Sequence, residues 1–293
     1  MIPLESGHVT DETPPRLPTR NRTARPAGRH RRGQTSDLPP EAPALVPVMP
    51  AGPAGGPVAA ELPGALADAY PGLDVRVAHL DGPGGRPGDP DGLPAILESV
   101  YAARPGTAAA AVVAPMVTGP DPRFIDAVRS AAGDRALVTE PLGPHPLLAQ
   151  ALHERLAEAG LARRDRVRML GLVTAASGVI VATGGGEEAV RSADMTAVLL
   201  ASRLAVPVVP ASLDGTPQVG AVADRMRQSG AERIAVAPYV IGPETDLDRM
   251  AAEARQAGVE CAPPIGAHPA VAKLLALRYE MALDELRIGY ADA

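Results

Sequence analysis

From Ala44 onward the chain alternates short apolar runs with longer stretches in which apolar residues recur every three or four positions. The runs cover 44–49, 73–80, 109–116, 136–140, 178–183, 205–211, 233–240 and 259–262. Each has the length of a strand, and several are rich in Val. Between them, 94–104, 123–132, 146–159, 187–204, 219–229, 246–257 and 269–286 carry the helical period. The stretch 58–70 also predicts a helix, with Pro63 and Gly64 expected to break or kink it. Strands that are apolar throughout have both faces buried. Strands of that kind alternating with helices predict parallel sheets covered on both sides.

The pattern occurs twice. Val112-Val113-Ala114-Pro115-Met116 returns as Ala235-Val236-Ala237-Pro238-Tyr239, at an offset of 123. Leu142-Gly143-Pro144-His145-Pro146 returns as Ile265-Gly266-Ala267-His268-Pro269, again at 123. Leu80-Asp81-Gly82 returns as Leu213-Asp214-Gly215 at 133, so the first half holds about ten extra residues, placed in the loop 82–92. Three markers in the same order point to an internal duplication. The fold class expected is α/β, with two similar flavodoxin-like parallel-sheet domains at 43–164 and 165–293. Residues 1–42, rich in Pro and Arg, predict a disordered tail.

Composition narrows the function. The chain has 293 residues, of which 46% are apolar but only 2% aromatic, so its cores are built from Ala, Val, Leu and Ile. Net charge is −6, and the first forty residues contribute +3 from seven Arg against four acids, leaving the remainder at −9. An acidic body argues against nucleic-acid binding. A single cysteine, Cys261, excludes an internal disulfide and a Cys-rich metal site. The N-terminus has no apolar core of signal-peptide length, and the longest apolar run, 169–183, is too short to span a bilayer, so the expectation is a cytoplasmic protein without a membrane partner.

Candidate chemistry gathers where strands end, the edge at which parallel sheets bind ligands. The Gly-rich loops 50–56 and 183–188 follow the first strand of each half. Glu187 and Glu188 would repel a phosphate there, so a tight turn beside a ligand fits better than a phosphate cradle. His79 and Asp81 end the second strand and are two apart, which on a strand points their side chains to the same face. They could form an imidazole–carboxylate pair for metal or protons, or be a surface His beside a turn acid. Asp214 holds the corresponding place in the second half, with Ser212 in place of the His. Asp121 and Glu244 follow the third strands and could reach a cleft or serve helix N-termini. His145 and His268 precede Pro146 and Pro269, which suits a helix N-cap, though a neutral imidazole there could also ligate metal.

These motifs resemble the class II tetrapyrrole chelatases, the sirohydrochlorin cobalto- and ferrochelatases, in an actinobacterial tandem form. The resemblance rests on Asp81 and Asp214, on the Pro-containing strands 113–117 and 236–240, on the signatures 140–148 and 264–271, and on the tandem arrangement. It implies two chelatase-like domains that insert Fe²⁺ or Co²⁺ into sirohydrochlorin, for sirohaem or cobalamin-type tetrapyrrole biosynthesis. The metal would be a substrate, with no cofactor tightly bound. The implied partners are the tetrapyrrole and, downstream, a sirohaem-dependent reductase pathway. The substrate's many carboxylates imply Arg at the rim of the cleft. Catalysis would rest on His79 and Asp81, and metal handling on His79, Asp81 and Asp121, with Asp214, Glu244, His145 and His268 as further candidates. Where the family has His-Gly-Ser after its first strand, this chain reads Met49-Pro50-Ala51-Gly52 and Ala182-Thr183-Gly184-Gly185. The family's second His is also replaced, in the loops 118–122 and 241–245. The alternative is therefore a non-catalytic tetrapyrrole- or metal-binding protein that has lost those histidines.

Overall fold

The structure is a computed structural model that describes residues 42–81, 86, 88–163 and 175–291. The expected tail up to residue 41 and the expected boundary near 164–165 lie outside the described residues. Two four-stranded parallel sheets form. In the first, β1 (Ala44–Pro50), β2 (Ala78–Leu80), β3 (Ala111–Pro115) and β4 (Ala136–Val138) lie in the order β2-β1-β3-β4. In the second, β5 (Gly178–Thr183), β6 (Val208–Ser212), β7 (Ile234–Pro238) and β8 (Glu260–Cys261) repeat it as β6-β5-β7-β8. Val46 pairs with Val113 across β1 and β3, and Ile180 with Val236 across β5 and β7.

The helices are α1 (Gly55–Ala69), α2 (Leu93–Ala103), α3 (Pro122–Ala132) and α4 (Pro146–Glu158), then α5 (Glu187–Leu204), α6 (Val219–Gln228), α7 (Leu247–Gln256) and α8 (Pro269–Ala291). Two sequence expectations need correction. Pro63 does not break α1, because buried Leu62 and Leu66 anchor the helix on both sides of it. The second strand shortens to Ala78–Leu80, since upstream only Val75 bridges to Leu45. Among the described residues no helix is long and apolar enough to cross a membrane.

Alternation along each central strand sends side chains into different cores. Ala44, Val46 and Val48 face a core private to the first half, with Leu97 of α2 and Val128 of α3. Ile180 and Ala182 face a private core of the second half, with Val222 of α6 and Met250 of α7. The opposite faces, Leu45 and Met49 on β1 with Val179 and Val181 on β5, enter one core common to both halves.

That shared core is closed by an exchange of helices. The helix that ends the first half, α4, packs on α5 and β7 of the second. The helix that ends the second half, α8, packs on α1 and β3 of the first. Small residues on β3 and β7, Ala114, Ala235 and Ala237, let the visiting helices come close. Equivalent arginines fasten the crossing. Arg155 on α4 donates to the Ile265 carbonyl from Nη2 at 2.8 Å, and Arg278 on α8, 123 positions later, donates to the Pro141 carbonyl at 2.8 Å. The Tyr279 hydroxyl donates to the Pro43 carbonyl at the head of β1, at 2.8 Å. At the other end of the sheets, Thr118 after β3 donates to the Tyr239 carbonyl after β7, at 2.8 Å.

Candidate functional site

The carboxyl ends of β1 and β2 border a groove of about 670 Å³, within the ~300–1,000 Å³ usual for small-molecule sites. Pro50 at the end of β1 and the loop residues Ala51, Gly52 and Pro53 form one wall, and Gly56, Ala59, Ala60 and Pro63 of α1 form the next. These four follow the helical period on one face of α1, while Val58, Leu62 and Leu66 turn into the shared core. Because Pro63 has no N–H, the Ala59 carbonyl loses its helical partner on that groove-lining turn. His79 and Asp91 complete the lining.

His79 stands opposite Met49 in the β1–β2 register. Its Nε2 lies 2.6 Å from Asp89 Oδ2, with about 32% of the His side chain and 21% of the Asp side chain exposed. The hydrogen bond from His79 holds the Asp89 carboxyl below the usual carboxylate range. The loop carrying Asp89 folds back on β2. The Asp91 N–H donates to Asp89 Oδ1 at 3.2 Å, and the His79 N–H donates to the Asp91 carbonyl at 3.1 Å. The His79–Asp81 pair suggested by spacing is thus replaced by His79–Asp89. The strand ends at Leu80, so the two-residue period stops before Asp81, which is exposed.

The other candidates are dispersed. Asp121 caps α3, accepting the Phe124 N–H at 3.0 Å, and β1 separates β3 from β2 in the sheet. Among the described residues no three His, Cys, Asp or Glu side chains are grouped to hold a metal ion. His145 caps α4 by accepting the Leu147 N–H at Nδ1, at 3.2 Å. Burial, with Arg278 nearby, pushes its pKa down. His268 likewise accepts the Ala270 N–H at the start of α8, at 3.1 Å. It is 4% exposed, and burial pushes its pKa down although its Nε2 lies 3.1 Å from Glu154 on α4. Both histidines therefore sit at the N-termini of the exchanged helices.

In the second half the matching edge is tied shut. Ser212 bonds the Gly185 carbonyl and accepts the Asp214 N–H at 2.9 Å. Asp214 accepts the Gly185 N–H at 2.9 Å and pairs with Arg249 of α7 at 2.7 Å. A Cβ on Gly215 would meet Gly186 Cα at 3.0 Å, so the loops after β5 and β6 touch. Glu244 turns back on its own loop and accepts the N–H groups of Ile241 at 3.0 Å and Gly242 at 2.7 Å. Burial pushes its carboxyl up to about 7. The turn it holds backs the first-half groove, since a Cβ on Gly52 would come within 2.6 Å of Pro243 and one on Gly242 within 3.1 Å of Met49 Sδ.

Sequence reasoning missed Asp89 and Arg249. The signal for Asp89 was the insertion itself, since only the first half has the longer loop. A rim arginine is expected of a carboxylate-rich substrate; among the described residues Arg86 lies near this edge, and its charge acts on Asp89.

Two parallel sheets of identical strand order share one core, and a groove opens at the strand carboxyl ends of the first, which defines an α/β protein of two similar halves. Residues 178–282 match the family model CbiX. That stretch spans β5 to α8, and the first half of the chain repeats its strand order. SirB from Bacillus subtilis, solved with Fe³⁺, superposes with a TM-score of 0.59 at 16% identity, over 81% of this chain and 94% of that one. A putative LacI transcriptional regulator from Bacteroides fragilis aligns at a TM-score of 0.31 and 12% identity, over 73% of this chain and 74% of that one. An extracellular ligand-binding receptor from Verminephrobacter eiseniae aligns at 0.33 and 15%, over 74% and 62%. No curated protein matches the chain.

Proposed function

We propose that this protein is a cytoplasmic sirohydrochlorin chelatase that places Fe²⁺ or Co²⁺ in the macrocycle, with the first-half groove as its working site. The observation that carries the reading is an imidazole, His79, lining an open groove at the strand ends of a chelatase fold. Insertion requires two pyrrole N–H protons to leave while the metal approaches one face of the ring. A neutral imidazole suits this task because it can hold a metal and accept a proton near pH 7. The wall of Gly56, Ala59, Ala60 and Pro63 carries only short side chains, which suits a flat ligand. The test is metal insertion by the purified protein, followed by the absorbance of sirohydrochlorin, for wild type and His79→Ala. Wild-type turnover above the spontaneous rate, lost in His79→Ala, is expected. Wild-type turnover no faster than the spontaneous rate refutes catalysis, and undiminished turnover in the variant refutes the role of His79.

A second reading is favoured by a specific observation. Met49-Pro50-Ala51-Gly52 and Ala182-Thr183-Gly184-Gly185 stand at the ends of β1 and β5 where the family carries His-Gly-Ser, and no three ligating side chains gather among the described residues. On this reading the protein binds the tetrapyrrole and hands it on without metallating it. Tight sirohydrochlorin binding without insertion would favour it.

A further inference from the structure

The ten-residue insertion that distinguishes the first half delivers one carboxylate, Asp89, to the groove-lining imidazole. We infer that Asp89 is a positioning residue that fixes the ring tautomer of His79 and leaves the Nδ1 lone pair free for the reacting centre. As to reaction, the inference rests on the chelatase reading above; as to tautomer, it stands on geometry alone. Asp89 Oδ2 lies 2.6 Å from Nε2, and an ionised carboxylate can only accept, so Nε2 carries the hydrogen. The neutral ring then has its lone pair on Nδ1, which makes no hydrogen bond among the described residues.

Asp89 is itself held in place. Its Oδ1 takes the Asp91 N–H at 3.2 Å, and its carbonyl takes the Gly92 N–H at 3.2 Å. Gly92 in turn bridges to His79. The backbone ties between this loop and β2 do not involve the Asp89 carboxyl, so a substitution there should leave the loop seated. The second half has no such device, with Ser212 in place of the imidazole and its hydroxyl bonded to Gly185. In the proposed reaction a pyrrole N–H bond breaks, its electron pair stays on nitrogen to bind the metal, and the proton goes to Nδ1. Asp89 touches none of the reacting atoms. Partners that orient an imidazole in this way change metal affinity or activity by about 10–100-fold when removed.

The test uses the full chain labelled with ¹⁵N-histidine. Two-bond ¹H–¹⁵N correlations read the ring tautomer at pH 8, and the His79 signal is assigned by its loss in His79→Gln. Wild type should show the Nε2–H form, Asp89→Ala a mixture, and Asp89→Glu a return toward Nε2–H. In the insertion assay Asp89→Ala should lower kcat about 10–100-fold with KM for the tetrapyrrole little changed, and Asp89→Glu should recover part of it. A mixed or Nδ1–H tautomer in wild type overturns the inference. So does a wild-type enzyme whose turnover Asp89→Ala matches. If the tautomer result holds and no variant, wild type included, inserts metal, the positioning role stands and the chelatase reading falls.

Discussion

Leu275→Ala tests whether the exchanged helices make the two halves one cooperative unit. Leu275 lies on α8, in the second half of the sequence, yet α8 packs on α1 and β3 of the first half. The side chain is fully buried in the shared core. Truncation to Ala removes three carbons, about 2.4 kcal/mol at ~0.8 kcal/mol per buried carbon. The cavity left in a core that relaxes only in part raises this to roughly 3–4 kcal/mol. At about 2–4 °C per kcal/mol for a body of this size, Tm falls by roughly 6–16 °C. Leu152→Ala, the equivalent position 123 residues earlier on α4, should cost a similar amount. Thermal melts followed by circular dichroism, with peptide-resolved hydrogen exchange, provide the assay. The expected result is one transition for each variant, with protection lost on β1 and β3 together with β5 and β7. Two transitions, with Leu275→Ala moving only the one reported by second-half peptides, would refute the exchange as the source of stability.

Three further outcomes follow from the same geometry. Glu244 has its carboxyl pushed up to about 7, so the folded protein holds a proton that the unfolded chain releases at lower pH. Relative to Glu244→Gln, wild type should lose stability as pH rises from the ordinary Glu range to about 7 and level off above it. Denaturant melts at pH 5 and pH 8 check this, and an unchanged difference counts against the buried carboxyl. His268 is shifted the other way by burial, so the unfolded chain takes up its proton first on acidification. Wild type should lose stability relative to His268→Gln as pH falls below about 6.5, the ordinary histidine value, and the same melts extended to pH 5 would show it. Gly52→Ala would put a Cβ 2.6 Å from Pro243, forcing the loops after β1 and β7 apart at about 1–3 kcal/mol. Equilibrium unfolding measures that cost, and a neutral substitution would mean that the two loops separate freely.

Much of this protein was legible in its sequence, because the signals are local. Apolar period, Pro at helix starts and repeated motifs placed the strands and helices in order and exposed the duplication, and the same locality put the candidate ligand edge at the strand ends. The exchange of α4 and α8 was not legible. The apolar face of a helix such as Leu148, Leu152 and Leu156 records that the face is buried, not which sheet buries it, and after a duplication two similar sheets compete for it. Only the packed structure, with Ala114, Ala235 and Ala237 clearing room and Arg155 and Arg278 reaching across, decided the partners. The site divided in the same way. His79 was visible as an imidazole at a strand end, but its carboxylate was not, because face-sharing at a spacing of two holds only while the strand continues, and β2 stops at Leu80. Its partner came instead from ten positions along, on a loop whose return path is set by the hydrogen bond from the His79 N–H to the Asp91 carbonyl and by the bridge between His79 and Gly92. Sequence alone thus determined the elements and their repetition, whereas the tertiary structure decided which half completes which core and which acid faces the imidazole, since both depend on contacts between segments distant in the chain.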